Sequence, residues 1–454
     1  MLWTPQDLAA ATGAAPRVPF AASGISIDSR SVRPGDLFVA LQDVRDGHDF
    51  VADALAKGAA GALIRNGALD FPADAAVIEV ADPLTSLTDL AKFARARFNG
   101  KLVAITGSVG KTTTKEMLRT ALGAAGKVHA AAASFNNHIG VPLTLALLPP
   151  DADFAVIEIG MNHPGEITPL AVLARPHVAL ITNIGSAHIG HMGSLAAIAA
   201  EKAAIFGGLL PGGTAIIPLQ TAEYQILEAT ALASHARIIR IGEGGEAELL
   251  SKALDQDGSD LFVRIGERQI SLRLGAAGRH MATNAVAVLA AAGALGADIA
   301  QAAAALAHFT PAAGRGARLA ILGGTATVLD ESYNASTLSV RAALALLDLS
   351  PAERRIAVLG DMREMGEHAA AEHQSLAPDV EEHADMLFTC GPLMRHLHDA
   401  VPARIATAHT ETSAELAPMV ARAIKPGDLV LVKGSFGSKM RLVVETLTKL
   451  GSTA

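Results

Sequence analysis

The sequence carries a single cysteine, Cys390, so no internal disulfide framework and no cysteine-based zinc site can be built from it. That fits a reducing compartment. Aromatic side chains are also scarce, at 4% of 454 residues with one Trp and two Tyr, while alanine fills much of the 50% apolar share. Packing is therefore expected to rest on aliphatic layers and Ala-rich helices. A cationic excess is missing as well: the formal charge is -8, which argues against nucleic acid as a partner, because that needs a broad cationic surface. A local cationic pocket stays open. Long apolar runs are absent too, since the smoothest stretch, 285–297, has only thirteen residues, and a membrane span needs about 20. No membrane insertion is expected. Residues 1–16 contain neither Lys nor Arg and no uninterrupted apolar segment, which reads against a secretory signal and for a cytoplasmic protein.

What is present is length and alternation. The 454 residues exceed the size at which one hydrophobic core keeps growing, so several domains are expected. Up to about residue 83 the pattern is short strands and turns, with runs at 25–27 and 37–41 flanking Arg33-Pro-Gly-Asp36. Residues 86–98 then read as an amphipathic helix. From Lys101 short apolar runs bounded by Gly and polar residues alternate with helical patterns, at 102–106, 154–159, 178–182 and 214–218, as in buried parallel strands. The segment 261–274 reads as a hairpin about Gly266-Glu267, and two Ala-rich helices follow, starting near Ala282 and Asp298. A second α/β series after Pro311 has strands expected at 325–330, 355–359, 386–389 and 428–432, with helices around 338–349, 369–377 and 414–424. The reading is an α/β chain of three domains, divided at 1–83, 84–311 and 312–454.

The run 102–106 leads straight into Gly107-Ser-Val-Gly-Lys111-Thr-Thr-Thr114, and a helix continues from Lys115. Strand, Gly-rich turn, Lys-Thr and helix together make a nucleotide phosphate site: backbone N–H groups approach the anion, the helix start adds its positive end, Lys111 neutralises the terminal phosphates and a hydroxyl ligates magnesium. The loop is a shortened variant, because Ile105 occupies the early glycine position. Glu158 ends the strand 154–159 and His188 follows the strand 178–182, so both face the crevice at the strand C-termini. With Thr112 they are candidate magnesium ligands, His188 being the weaker because magnesium prefers oxygen. Ser194 is placed to cap a helix over 195–206 that carries Lys202, by itself an ordinary lysine. Three further polar loops follow strands, at Asp330-Glu-Ser-Tyr-Asn334, Gly360-Asp-Met-Arg-Glu364 and Lys433-Gly-Ser-Phe-Gly437. Their recurrence points to a binding edge on the third domain.

These motifs, with Asp28-Ser-Arg30, Gly35 to Leu41, Asp46-Gly-His-Asp-Phe50, Asn136 to Pro142, Glu158-Ile-Gly-Met-Asn162, Thr182 to Gly193 and Gly278-Arg-His280 with Asn284, resemble the Mur ligase family over nearly the whole chain. Within it they look like the MurF type, which adds D-alanyl-D-alanine to UDP-N-acetylmuramoyl-tripeptide. The dinucleotide-type glycine loop of the first two ligases and the Asp-Asn-Pro-Arg motif of the diaminopimelate-adding ligase are both absent.

The resemblance implies a small N-terminal α/β UDP-binding domain, a central P-loop-type parallel-sheet ATPase domain and a C-terminal Rossmann-like α/β domain that closes over it. It implies that Gly107, Ser108, Val109, Gly110, Lys111, Thr112 and Thr113 bind ATP, with Asn284 at the adenine and Arg315 and Glu331 near the ribose and phosphates. Lys111, Glu158, His188 and Lys202 take the catalytic roles, Thr112 and Glu158 holding one Mg2+ and His188 and Lys202 a second. The lysine matching Lys202 carries a carbamate in related ligases, which makes sense because an ammonium repels magnesium whereas its CO2 adduct is an anionic oxygen ligand. Ser29, Arg30, Gly47, His48, Asp49 and Phe50 are implied to hold the UDP-sugar, and Asn136, Asn137, Asn162, Asn334, Lys433 and Ser435 the remaining substrate parts. The chain departs from the family pattern at Met281, Glu331 and Phe436, where Asn, Asp and Arg are common. The implied activity is ATP-dependent amide formation through an acyl phosphate by a cytoplasmic monomer, with another Mur-type or folylpolyglutamate-type amide ligase as the alternative.

Overall fold

Strands whose successive residues feed two different cores explain the architecture. In the computed structural model, which describes residues 1–68, 71, 72 and 74–451, Leu37 and Val39 join one apolar cluster while Phe38 and Ala40 join another on the opposite face. The two-residue period of a strand, buried on both sides, produces that split. The first sheet is parallel throughout, in the order β1 (Gly24–Ser26), β2 (Asp36–Val39), β3 (Gly61–Arg65), β4 (Val77–Val80). The sequence expected an α/β unit here but not β3 and β4.

The second sheet has nine strands: β5 (Lys101–Thr106), β6 (Val128–Ala130), β7 (Phe154–Glu158), β8 (Val178–Ile181), β9 (Thr214–Pro218), β10 (Arg237–Ile241), β11 (Ala247–Leu254), β12 (Ser259–Ile265) and β13 (Arg268–Leu274). Their order is β13-β12-β11-β10-β9-β8-β5-β7-β6. Strands β6 to β10 and β5 run parallel, whereas β11, β12 and β13 form an antiparallel extension. The expected hairpin is therefore present, joined to the sheet by β11, whose exposed Ser251 and half-buried Lys252 hid it from an apolar-run reading. Strand β5 sits between β7 and β8, with Ile105 level with Glu158 and Thr106 with Ile181. This is a switch point, where loops from β5, β7 and β8 open a crevice. Val103 and Ile105 pack on the helices Lys111–Gly123 and Arg279–Ala294, while Leu102 and Ala104 face the other layer.

The third sheet comprises β14 (Ala317–Ile321), β15 (Ala326–Glu331), β16 (Arg354–Gly360), β17 (Met386–Cys390), β18 (Ala406–Thr410) and β19 (Asp428–Lys433), in the order β14-β15-β19-β16-β17-β18. Only the edge strand β14 is antiparallel. The helix expected over 369–377 is two helices, Ala369–Gln374 and Ala377–His383, because Pro378 is tolerated only in a first turn. Likewise the helix expected over 195–206 ends at Ala203 and tightens into a 3-10 turn, Ala204–Gly208.

The first sheet is tied to the second through Trp3, which is fully buried and donates its indole N–H to the Ala146 carbonyl at 3.1 Å. The Arg97 guanidinium covers its ring at 4.3 Å and also donates to the Leu2 carbonyl at 2.8 Å. Few aromatics are needed, since aliphatic and alanine side chains fill the rest of the shared core. Burial pushes the lone Cys390 thiol up to about 12, so it acts as a small apolar filler against Met440. Among the described residues no helix is long and apolar enough to cross a membrane.

Candidate functional site

The loop between β5 and the helix Lys111–Gly123 needs its glycines. Gly107 and Gly110 adopt φ values of 150° and 86°, and a Cβ on Gly107 would lie 1.9 Å from Thr182 Oγ1. The loop is strapped to the chain leaving β8: Ser108 N donates to the Asn183 carbonyl (3.1 Å), Val109 N to Asn183 Oδ1 (2.9 Å), and Thr182 Oγ1 to the Val109 carbonyl (2.6 Å). Ser108 and Val109 therefore spend their N–H groups on Asn183. The first helical N–H groups, those of Lys111, Thr112 and Thr113, have no partner within the helix and form the anion cradle. Lys111 Nζ donates back across the loop to the Gly107 carbonyl at 2.7 Å. Burial lowers its basicity, Glu158 opposes that effect and the positive Arg315 adds to it.

Glu158, at the end of β7, is only 3% exposed. Its Oε2 accepts from Thr112 Oγ1 at 2.9 Å and its Oε1 from Asn136 Nδ2 at 2.7 Å. Thr112 Oγ1 also lies 2.8 Å from Ser134 Oγ, which accepts from Arg315 Nη2 at 3.0 Å. The Arg315 guanidinium stacks 4.0 Å over the Tyr333 ring, and Tyr333 meets the exposed Phe436. A side chain of the third domain thus reaches the central loop. Glu158 forms no ion pair among the described residues, although burying an unpaired carboxylate is costly. A buried carboxylate beside a hydroxyl, next to a phosphate cradle, suits a hard divalent cation such as magnesium. No cluster of three His, Cys, Asp or Glu side chains capable of holding a metal occurs among the described residues, so phosphate oxygens and hydroxyls must complete any such shell.

Lys202 lies in the helix Leu195–Ala203, whose start Ser194 caps by accepting from Ala197 N at 3.1 Å. It is 1% exposed and its amine makes no hydrogen bond or ion pair among the described residues. Burial, then the nearby Lys111 charge, drive it well below the ordinary lysine range, against a weaker pull from Glu201. His188 instead faces the third domain, with Nδ1 2.5 Å from Glu364 Oε2. The approach has ion-pair distance without hydrogen-bond alignment. Both residues hold φ at 67°, at a cost of roughly 1–2 kcal/mol each, whereas a half-exposed ion pair returns at most about 1 kcal/mol. Stability does not explain this contact.

The other expected residues fall into separate groups. Asn284 is buried against Gly110. Lys433 is paired with Glu331 at 3.2 Å and donates to the Asn334 carbonyl at 3.0 Å, while Ser435 Oγ accepts from Arg363 N at 2.9 Å. In the first domain Arg30 is exposed and paired with Asp28 at 2.6 Å, which holds the Asp28 carboxyl at about 2. Ser29 is buried, Asp49 is exposed and Phe50 packs on the local core. His48 has both ring nitrogens engaged, with Asp46 at 2.5 Å and with Arg65 N at 2.9 Å, and it braces the Gly47 turn. Asn137 and Asn162 line a cavity of about 1020 Å³ with Arg95, His163 and Arg175. Sequence reasoning gave no individual role to Ser134, Asn183 or Glu364, although the last two lie in the quoted segments 182–193 and 360–364. Ser134, two residues before Asn136, and Asn183, beside Thr182, sat within reach of quoted motifs, while nothing local marks Glu364 as a partner of His188.

Three family models match in order: the Mur ligase family catalytic domain over residues 21–95, the Mur ligase middle domain over 105–292 and the Mur ligase glutamate ligase domain over 314–436. The chain is 32% identical over 450 residues to the UDP-N-acetylmuramoyl-tripeptide--D-alanyl-D-alanine ligase of Rickettsia prowazekii, covering 98% of this chain and 99% of the relative. It superposes on a crystal structure of MurF from Acinetobacter baumannii with a TM-score of 0.86 at 31% identity, covering 98% and 99% of the two chains. A MurF ligase from Thermotoga maritima in complex with ADP is similar with a TM-score of 0.79 at 26% identity, covering 94% and 97%.

Replacing Gly107 by Ala forces the Cβ into Thr182 and tilts the cradle. Calorimetry is expected to show ATP binding weakened by roughly 10–100-fold, with the fold intact by circular dichroism. Unchanged affinity would remove the loop from the nucleotide site.

Proposed function

The chain belongs to the Mur ligase family, and from that premise we infer that it joins D-alanyl-D-alanine to UDP-N-acetylmuramoyl-tripeptide at the expense of ATP, in peptidoglycan precursor synthesis. The observation that carries the reading is the Thr112–Glu158–Asn136 cluster beside the phosphate cradle, with Arg315 of the third domain reaching it through Ser134. Phosphate chemistry assembled from two domains suits a ligase that must bring three substrates together.

In the proposed reaction a tripeptide carboxylate oxygen attacks the γ-phosphorus of ATP, the bond to ADP breaks and an acyl phosphate forms. The dipeptide amine then attacks the acyl carbon, loses a proton and expels phosphate, leaving an amide. The chain's part is positioning and charge neutralisation. Lys111 spans the mouth of the loop and meets the terminal phosphates, the N–H groups of residues 111–113 hold them, and Asn284 flanks the nucleotide beside Gly110. Thr112 and Glu158 would hold one magnesium ion, and His188 with Lys202, if carbamylated, would hold a second; bound there, the ions would neutralise charge on the transferring phosphoryl group. The buried, unpartnered Lys202 amine, whose basicity burial lowers, supports the carbamate, because CO2 adds to the uncharged form of an amine. We assign the UDP-sugar to residues 1–83, ATP to 84–311 and the dipeptide to 312–454, the last three of which lie outside the described residues. Asn137 and Asn162 lie on the route between the first two. A cytoplasmic monomer fits this chemistry.

The test is ADP release with ATP, magnesium, UDP-N-acetylmuramoyl-tripeptide and D-alanyl-D-alanine, omitting each in turn. Sustained release is expected only with all four. Release that ignores the dipeptide would point to another Mur-type or folylpolyglutamate-type amide ligase, and nucleotide binding without turnover would point to a regulator. A Lys202→Ala variant is expected to lose at least about 100-fold in kcat and to regain part of it with short-chain carboxylates. Failure of every carboxylate to rescue would count against the carbamate.

A further inference from the structure

Two loops from different domains meet beside the phosphate site, and each is bent into the left-handed region at a residue that has a side chain: His188 after β8 and Glu364 after β16, both at φ 67°. Gly190 N donates to the Glu364 carbonyl at 3.0 Å. A Cβ on Gly190 would stand 2.5 Å from Gly366 N, and one on Gly366 2.9 Å from Gly190 Cα. The backbones therefore touch through paired glycines, and this approach carries Glu364 Oε2 to 2.5 Å from His188 Nδ1. The rings of His191 and His163, which also act electrostatically on the Glu364 carboxylate, lie 5.0 Å apart.

From this geometry we infer that Glu364 is a positioning residue, delivered by the third domain, that sets the His188 ring only while that domain is docked. The inference rests on the ligase reading and adds to it a link between docking and the site. A carboxylate 2.5 Å from one ring nitrogen restricts the rotation of the imidazole and leaves Nε2 outside that contact. Separating the loops breaks the Gly190–Glu364 hydrogen bond and the Nδ1–Oε2 contact together. His188 is then held by neither, so chemistry before closure is disfavoured without a separate gate.

The experiment compares wild type with Glu364→Ala, Glu364→Gln, His188→Ala and the Glu364→Ala/His188→Ala pair, and with Glu367→Ala as a control on the same loop, where the side chain is 91% exposed. Glu364→Ala is expected to lower kcat by roughly 10–100-fold with KM for ATP within about twofold. Glu364→Gln should recover part of the loss, and adding His188→Ala should cost less than about another threefold because the two act as one unit. Glu367→Ala should match wild type. Independent, multiplying losses, or a Glu364→Ala enzyme with wild-type kcat, would overturn the inference. A second readout does not depend on turnover: histidine-ring nitrogen NMR of the protein loaded with a non-hydrolysable ATP analogue, with His188 identified by its loss in His188→Ala. Glu364→Ala should shift the His188 ring nitrogens and leave His129 and His177 in place; unmoved His188 resonances would refute the contact itself. Absent dipeptide-dependent turnover in wild type, with the NMR shift present, would instead count against the ligase reading.

Discussion

The hydrogen bond from the Thr112 hydroxyl to the buried Glu158 carboxylate is the contact around which the site is organised. It joins the first turn of the helix after β5 to the end of β7, and its geometry follows from strand register, since Glu158 stands level with Ile105 on the neighbouring strand. Shift that register by one residue and the carboxylate would face the opposite layer. The nine-stranded sheet, the Gly107–Gly110 loop and the strap from Asn183 all serve to hold these two oxygens beside an anion cradle. What they leave is a buried carboxyl group whose hydrogen-bond donors, Thr112 and Asn136, are both neutral, a setting suited to a cation and a phosphate.

The same reasoning explains the buried lysine. An amine that is 1% exposed, unpaired and close to Lys111 destabilises the fold if charged, so its retention points to chemistry rather than stability. The contact between His188 and Glu364 follows the same logic, with backbone strain and a short Nδ1–Oε2 approach where two domains meet. Closure here is assembled from marginal interactions: a guanidinium on a serine hydroxyl and paired glycines. Such a junction can open without unfolding either domain.

How much of this was legible in the sequence depended on the range of the interaction. The phosphate loop, the strand ending in Glu158 and the cap at Ser194 are local patterns, and the structure places them as their spacing required. The three-domain α/β organisation followed from alternating apolar runs and from the resemblance. Strands such as β11, with exposed polar residues along their length, escaped because the apolar signal was weak. Ser134 and Glu364 escaped because their partners, Arg315 and His188, lie far away in sequence, and no local pattern encodes a contact between domains. His48, expected from the resemblance to help hold the UDP-sugar, has both ring nitrogens engaged in bracing its own loop.

In the proposed reaction the tripeptide carboxylate is activated by phosphoryl transfer at the Thr112–Glu158 site. The most direct measurement labels that carboxylate with heavy oxygen and follows the label by mass spectrometry during turnover with ATP and D-alanyl-D-alanine. Attack of the carboxylate on the γ-phosphorus predicts that one labelled oxygen leaves in each inorganic phosphate released, while the other stays in the amide carbonyl. Unlabelled phosphate formed alongside the amide would contradict it.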